Sequence, residues 1–488
     1  MRPERRYRIG LLLTALVVSG AVLAAGTMNS DHGDPIAPVI LGVTGILFVA
    51  ILGRFAARKF GQPSVLGELM MGVLLGNVGY FFGLDLIIVL REGSAVFDML
   101  SLVLQGEPMD AAAETAFGKA EAGRVLEILQ GPEGGMLLQV AHTVDVFSRY
   151  GVIFLLFLVG LESSVEEMRT VGPESLRVAI AGVLLPLLLG FAATRFLMPE
   201  LSVNTDLFVA ATLGATSVGI SARVLMDMRA QHSREGHIIL GAAVIDDILG
   251  LLMLAVVSGI IVSGGVEVTN ILVIVALAII FLGGAIYLGP FILRFAIRVL
   301  GRLDIVEAKM FTSFLFVMVL AWLANLVGLA TIVGAFTAGL ILHDGYFKHL
   351  PRPENHLTIK DLITPLEVIL VPIFFVFMGI QVKLETFLDW QVAVLAAGLL
   401  LAAVIGKVAS GWAAGRGNAP WVIGFGMMPR GEVGLIFASI GKSLGVIGDE
   451  LFSAVVLMVI VTTLAAPPLL KFSIQRRGEK IESDAISG

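Results

Sequence analysis

The sequence contains no cysteine, which excludes a disulfide framework, a thiolate metal site and a thiol nucleophile. Charge is scarce as well. Asp, Glu, Lys and Arg make up 15% of 488 residues, against about 25% in an ordinary soluble domain. Blocks of like charge and nucleic-acid motifs are missing, so nothing points to a nucleic-acid partner. What fills the space is apolar: 57% of residues are hydrophobic and mean hydropathy is +0.94. Such a chain is a polytopic membrane protein. In lipid the backbone must satisfy its own hydrogen bonds, and runs of about 18 or more apolar residues do so as helices.

Apolar segments fall at about 36–57, 63–83, 147–162, 176–198, 204–226, 236–262, 269–298, 310–326, 329–343, 364–382, 390–414, 419–445 and 450–473. The reading is therefore all-α, with thirteen transmembrane helices. A further run at 9–26 follows Arg2, Arg5, Arg6 and Arg8 and ends in "AVLAAG", so residues 1–30 hold either a secretory signal or a fourteenth helix. Alternate loops carry the positive charge: Arg54, Arg58 and Lys59 after the first span, Arg229 and Arg234 after the fifth, Arg416 after the eleventh. The positive-inside rule then puts the C-terminal tail, 476–488, in the cytoplasm. The longest loop, 84–146, falls outside, and its stretch "DAAAETAFGKAEAGRVLEILQ" has the composition of an exported surface helix.

Two spans are interrupted by polar and helix-breaking residues. One reads "ATLGATSVGISARVL"; the other reads "GFGMMPRGEVGLIFASIG" and places Pro429, Arg430, Gly431 and Glu432 in mid-membrane. They hold matching places in two triplets of spans, about 176–262 and 390–473, that run in opposite directions. That is the pattern of an inverted repeat with paired discontinuous helices, which marks a transporter's midplane site. The simpler reading of such glycines and serines is close helix packing.

Between Ile238 and Val262 the only charges are Asp246 and Asp247. Each costs roughly 2.5–3.5 kcal/mol at a helix centre, so both must face protein or water. Adjacent helical positions differ by about 100°, so one carboxylate can face an aqueous cavity while the other meets a fixed partner. The clearest partner is Lys407, mid-span in the opposite triplet. Snorkelling of Lys407, a purely structural ion pair, and a packing role for Arg430 and Glu432 are the bland readings of the same residues. A carboxylate that holds either a proton or a desolvated cation makes the two compete, and exchange then needs only that the occupied site move. No cofactor is required and no enzyme chemistry is implied. An intramembrane aspartyl protease would need acids converging from separate helices, and a channel would need a continuous pore. A cation sensor that keeps a transporter scaffold stays open.

The motifs "FLLFLVGLE", "GATSVGISARVL", "GAAVIDDILGL", "GAFTAGLIL", "PIFFVFMGIQ", "GKVASG" and "PRGEVGLI", in this order, closely resemble the second monovalent cation:proton antiporter family, most nearly its electrogenic NapA-type sodium/proton antiporters. The resemblance covers about 36–475. It implies an NhaA-like antiporter fold with core helices in the two triplets and a homodimer in a bacterial inner membrane; the outside loop 84–146 departs from the family pattern as an insertion some fifty residues longer than usual. It also implies that Asp247 is the essential cation- and proton-binding carboxylate and holds Na+, or Li+ or K+ in its place. Asp246 would be held by Lys407. Thr216 and Ser217 would neighbour the ion on one crossing helix, and Arg430 with Glu432 would form the polar break of the other. The Asp-Asp doublet implies electrogenic exchange, two protons for one sodium, with potassium/proton exchange as the alternative.

Overall fold

The computed structural model describes residues 36–487 except 61, 63, 94, 163–169, 264–267, 301–303, 330, 348–356, 386–389, 431–433, 435–436, 439–440 and 442–445. Residues 1–30 and Glu432 therefore lie outside the described residues.

Among those residues the chain is helical, and nine helices are long and apolar enough to cross a membrane. In order they run α1 (Ala37–Lys59), α2 (Ser64–Phe81), α3 (Asp85–Arg91), α4 (Ala95–Leu104), α5 (Met109–Phe117) and α6 (Lys119–Gln130). Next come α7 (Gly134–Glu162), α8 (Gly172–Leu197), α9 (Val203–Thr212), α10 (Val218–Asp227), α11 (Arg234–Ser263) and α12 (Val268–Leu300). The last are α13 (Ile305–Leu326), α14 (Thr331–Ile341), α15 (Ile359–Ile380), α16 (Trp390–Ser410), α17 (Pro420–Gly426) and α18 (Asp449–Ser487).

Each of the thirteen expected segments coincides with helix, but not as thirteen continuous crossings. The 204–226 segment is split into α9 and α10, and 419–445 is interrupted after Gly426, with helix again at Gly434, Phe437, Ala438 and Gly441 among the described residues. The expected 329–343 span is an α14 of 11 residues, and 236–262 lies within the 30-residue α11. The third span begins at Gly134 rather than 147, because His142, Asp145 and Arg149 interrupt its hydropathy; an i,i+4 ion pair, Arg149 to Asp145 at 2.8 Å, lets the helix carry them. At the C-terminus one helix continues from the last span through Ser487.

The chain divides into two compact units, one of residues 1–151 and 369–384, the other of 152–368 and 385–488. In the first, α1 and α2 touch backbone to backbone: a Cβ on Gly53 would lie 2.3 Å from the Gly67 carbonyl oxygen, and one on Gly67 2.0 Å from that of Gly53. Beside this contact Arg54 bonds the fully buried Glu68 at 2.8 Å. The stretch read as one exported surface helix is two, α5 and α6, because Gly118 turns the chain at φ 81°, where a side chain is strained. Nor is it only a surface element. Ala112, Phe117 and Val125 join Ile88, Met99 and Val376 in one apolar core. The Tyr80 ring lies under two guanidiniums, Arg91 at 3.9 Å and Arg124 at 4.4 Å, and its hydroxyl donates to Glu121 at 3.1 Å. Asn77 donates to the Val382 carbonyl and accepts from Leu384 N, which ties α2 to the segment after α15.

In the second unit α8 packs along α16 and α11. Pro186 interrupts the α8 hydrogen-bond ladder, and Gly406 of α16 presses on that point: an added Cβ would lie 2.6 Å from Pro186 N. Backbone cannot yield as a side chain can. Gly406→Val is therefore expected to cost about 1–3 kcal/mol, read as a lower melting temperature of the purified protein; an unchanged melt would show that the two helices are not in register as described. On α12, Ile279, Ile280, Tyr287, Phe291 and Phe295 are exposed. In a bilayer that face meets acyl chains, so its exposure is no liability.

Candidate functional site

α11 is continuous through Asp246 and Asp247, and its geometry turns them to different sides. Asp246 is 1% exposed and Asp247 is partly exposed. Lys407, itself 0% exposed, reaches Asp246 from α16 and splits its ammonium between both carboxylate oxygens, at 3.0 and 3.2 Å. Snorkelling is thereby excluded for this side chain. Room for the ammonium comes from α8, where Gly182 has no side chain and a Cβ would sit 3.3 Å from Lys407 Nζ. Ser410 donates to the Lys407 carbonyl at 2.7 Å, closing the last turn of α16.

The two helix breaks meet each other. α9 ends at Thr212, Leu213 and Gly214 closing its last turn, and α10 begins at Val218, which leaves Ala215–Ser217 between the two helices; after α17 the chain is non-helical from Met427 to Arg430. Freed backbone groups at membrane depth need partners, and they find them across the gap. Ser217 N donates to the Pro429 carbonyl at 2.8 Å, Thr216 Oγ1 to Met427 O at 3.3 Å, and Ser221 Oγ to Gly426 O. Arg430, fully buried, donates through Nη1 to Ala215 O, and its own carbonyl accepts from Thr463 on α18. Its Nε and Nη2, and the Ser217 hydroxyl, have no hydrogen-bond partner among the described residues.

The charges of Asp246, Asp247 and Arg430 all act on Lys407, so the pair and the second break form one electrostatic cluster. Among the described residues two carboxylates and two cations balance. One further cation therefore upsets that balance in a low-dielectric setting unless a proton leaves.

Of the residues singled out from the sequence, the structure joins Asp246 to Lys407 and brings Thr216, Ser217 and Arg430 into the meeting of the breaks. Several contributors were not singled out. Gly182 and Thr463 give no sequence signal, since a glycine and a threonine in apolar spans are ordinary. Arg223 and Glu367 do: they form a buried ion pair between α10 and α15, and Glu367 in "LITPLEVIL" is as costly in lipid as either Asp.

Comparison with known proteins identifies the family. Residues 44–474 match the family model described as sodium/hydrogen exchanger, transmembrane. The chain belongs to this family. Among relatives, the high-affinity Na+/H+ antiporter NhaS3 of Synechocystis sp. is 34% identical over 443 residues, covering 89% of this chain and 90% of the relative. The Na+/H+-K+ antiporter GerN of Bacillus cereus is 30% identical, over 72% of this chain and 88% of the relative. Among solved structures, the sodium proton antiporter MjNhaP1 from Methanocaldococcus jannaschii at pH 8 superposes with a TM-score of 0.53 at 17% identity, over 89% and 96% of the two chains. That likeness is one of fold.

Proposed function

We propose that this exchanger-family protein trades sodium for protons across the membrane by alternating access. The observation that carries the reading is the buried Asp246–Lys407 pair beside the meeting of two broken helices, with Asp247 partly exposed next to it. In this reading Asp247 binds either a proton or a desolvated Na+. Carbonyls freed at the breaks and the Thr216 and Ser217 hydroxyls supply the remaining oxygen ligands. Arg430 bridges the two breaks through Ala215 O, and by the family resemblance Glu432 belongs with it in the polar break.

The Asp246–Lys407 pair gives the exchange its charge. A cation arriving beside Asp247 competes with the Lys407 ammonium for Asp246, and a displaced ammonium is a group that can give up a proton. A second proton can leave by that route, which makes the cycle two protons for one sodium and electrogenic. The inverted repeat of 176–262 and 390–473 forms the moving core, the protein works as a homodimer in a bacterial inner membrane, and residues 1–30 act as a signal or an extra helix. GerN's name favours a second reading in which K+ is also a substrate, and Li+ is the natural third ion to test.

Reconstitution into proteoliposomes with a proton-sensitive dye tests this. Sodium pulses should release protons, with a rate that changes when the membrane potential is clamped. A protein that binds Na+ without moving protons would be a sensor instead. Topology has its own test, since the chain has no cysteine to remove. A single cysteine at the exposed Glu114 should react with an impermeant maleimide from outside the cell; reaction from the cytoplasm alone would reverse the orientation.

A further inference from the structure

Four arginines surround one turn. The turn Gly415–Ala419 follows α16 through the short 3-10 segment Gly411–Ala414 and leads into α17. Arg177 of α8 donates to Ala414 O at 3.4 Å, Arg477 of α18 to Gly417 O at 3.3 Å, and Arg234 of α11 to Asn418 Oδ1 at 3.1 Å. Arg416 stands at the tip, exposed, between Gly415 and Gly417 at φ 85° and 92°, and makes no hydrogen bond or ion pair among the described residues. Among the described residues two acids answer them: Glu174, 3.1 Å from Arg234 and 4.0 Å from Arg177, and Glu235, 3.2 Å from Arg477 and accepting from Ala419 N. Two positive charges remain over among the described residues.

Beside this surplus stand two tryptophans. Trp412 and Trp421 bracket the turn, meet edge to face at 5.1 Å, and are 52% and 53% exposed. Half-exposed indoles at the end of a membrane helix sit at the depth of lipid headgroups. Below Trp412, Leu401 and Ile405 are exposed on the same side of α16, since steps of seven and four residues return to one helix face.

We propose that this turn is a binding site for an anionic phospholipid, its phosphate between Arg416 and Arg177 and an acyl chain along Leu401 and Ile405 beneath the Trp412–Trp421 pair. The guanidinium fork matches phosphate oxygens, and Arg416 has all of its donors to give. A soluble anion would use the arginines and leave the tryptophans and the apolar track without a purpose. Occupancy would brace the end of α16, the helix whose buried side carries Lys407.

The test uses the purified full chain in mixed micelles, with phosphatidylglycerol against phosphatidylcholine at equal content, read by melting temperature and by lipid retained in native mass spectrometry. Phosphatidylglycerol should raise the melting temperature by about 3–5 °C over phosphatidylcholine. R177Q/R416Q should abolish that difference, while R294Q/R298Q, exposed arginines on α12, should keep it. R416Q alone removes no protein contact among the described residues, so it keeps the test available if the double variant does not fold, and it should lower retention at least about threefold. Glycerol 3-phosphate, a headgroup without chains, should give no stabilisation. The proposal is overturned if R416Q retains the lipid preference in full, if the α12 control loses it equally, or if glycerol 3-phosphate reproduces the shift.

Discussion

Asp247→Asn is expected to stop exchange altogether, with sodium-driven proton release falling to the level of empty liposomes and sodium binding lost with it. The change is nearly isosteric, so its effect is on charge and on the proton. A desolvated Na+ needs an anionic ligand to offset its lost hydration, and the amide offers only a dipole. Removing one partner of a buried charge pair costs roughly 2–5 kcal/mol, which is about thirty- to several-thousand-fold in affinity. Protons are lost as carriers at the same step, because an amide does not titrate. The variant should fold: Asp246–Lys407 holds α11 to α16 without it. A melting temperature near wild type, with exchange absent, is the expected pair of results. Substantial exchange by a well-folded Asp247→Asn protein would move the binding carboxylate elsewhere.

Lys407→Gln is expected to be the more damaging change to the fold. It strands Asp246, 1% exposed and bonded through both oxygens to the missing ammonium. Breaking a buried pair from one side costs about 3–5 kcal/mol, whereas neutralising both sides can be close to neutral. Asp246→Asn with Lys407→Gln should therefore melt above the lysine variant alone. Transport separates the functional role from the structural one. In liposomes the double variant should either stop or exchange through Asp247 without responding to a clamped potential. Unchanged voltage dependence in a stable double variant would leave the pair a purely structural device and place the source of electrogenicity outside it.

The broken helices show why some of this could be read directly. Gly214 with Thr216 and Ser217, and Pro429 with Arg430, are residues that a lipid-facing helix does not keep, so the interruptions announce themselves by composition. The Asp doublet and Lys407 are equally visible, since every charge in an apolar span needs a partner. By contrast, the insertion after α2 was legible as helix-forming but not as a core. Its apolar positions are too few and too scattered to show that Ala112, Phe117 and Val125 close on Met99 and Val376. Gly118 alone decides that one amphipathic stretch becomes two helices.

Composition, the lack of cysteine and the rarity of charge determined by themselves that the chain lives in a membrane as helices, where it breaks, and which charged side chains in its spans need a partner. Those conclusions follow from solvation, which acts on each residue separately. Tertiary structure decided which groups meet: that Lys407 takes Asp246 and leaves Asp247 partly exposed, that Gly182 makes room for the ammonium, that Ser217 and Pro429 join the two breaks through their backbones, and that Thr463 fixes Arg430. Pairing depends on the rotation and register of helices far apart in the chain. A hydropathy pattern repeats every turn and does not record either.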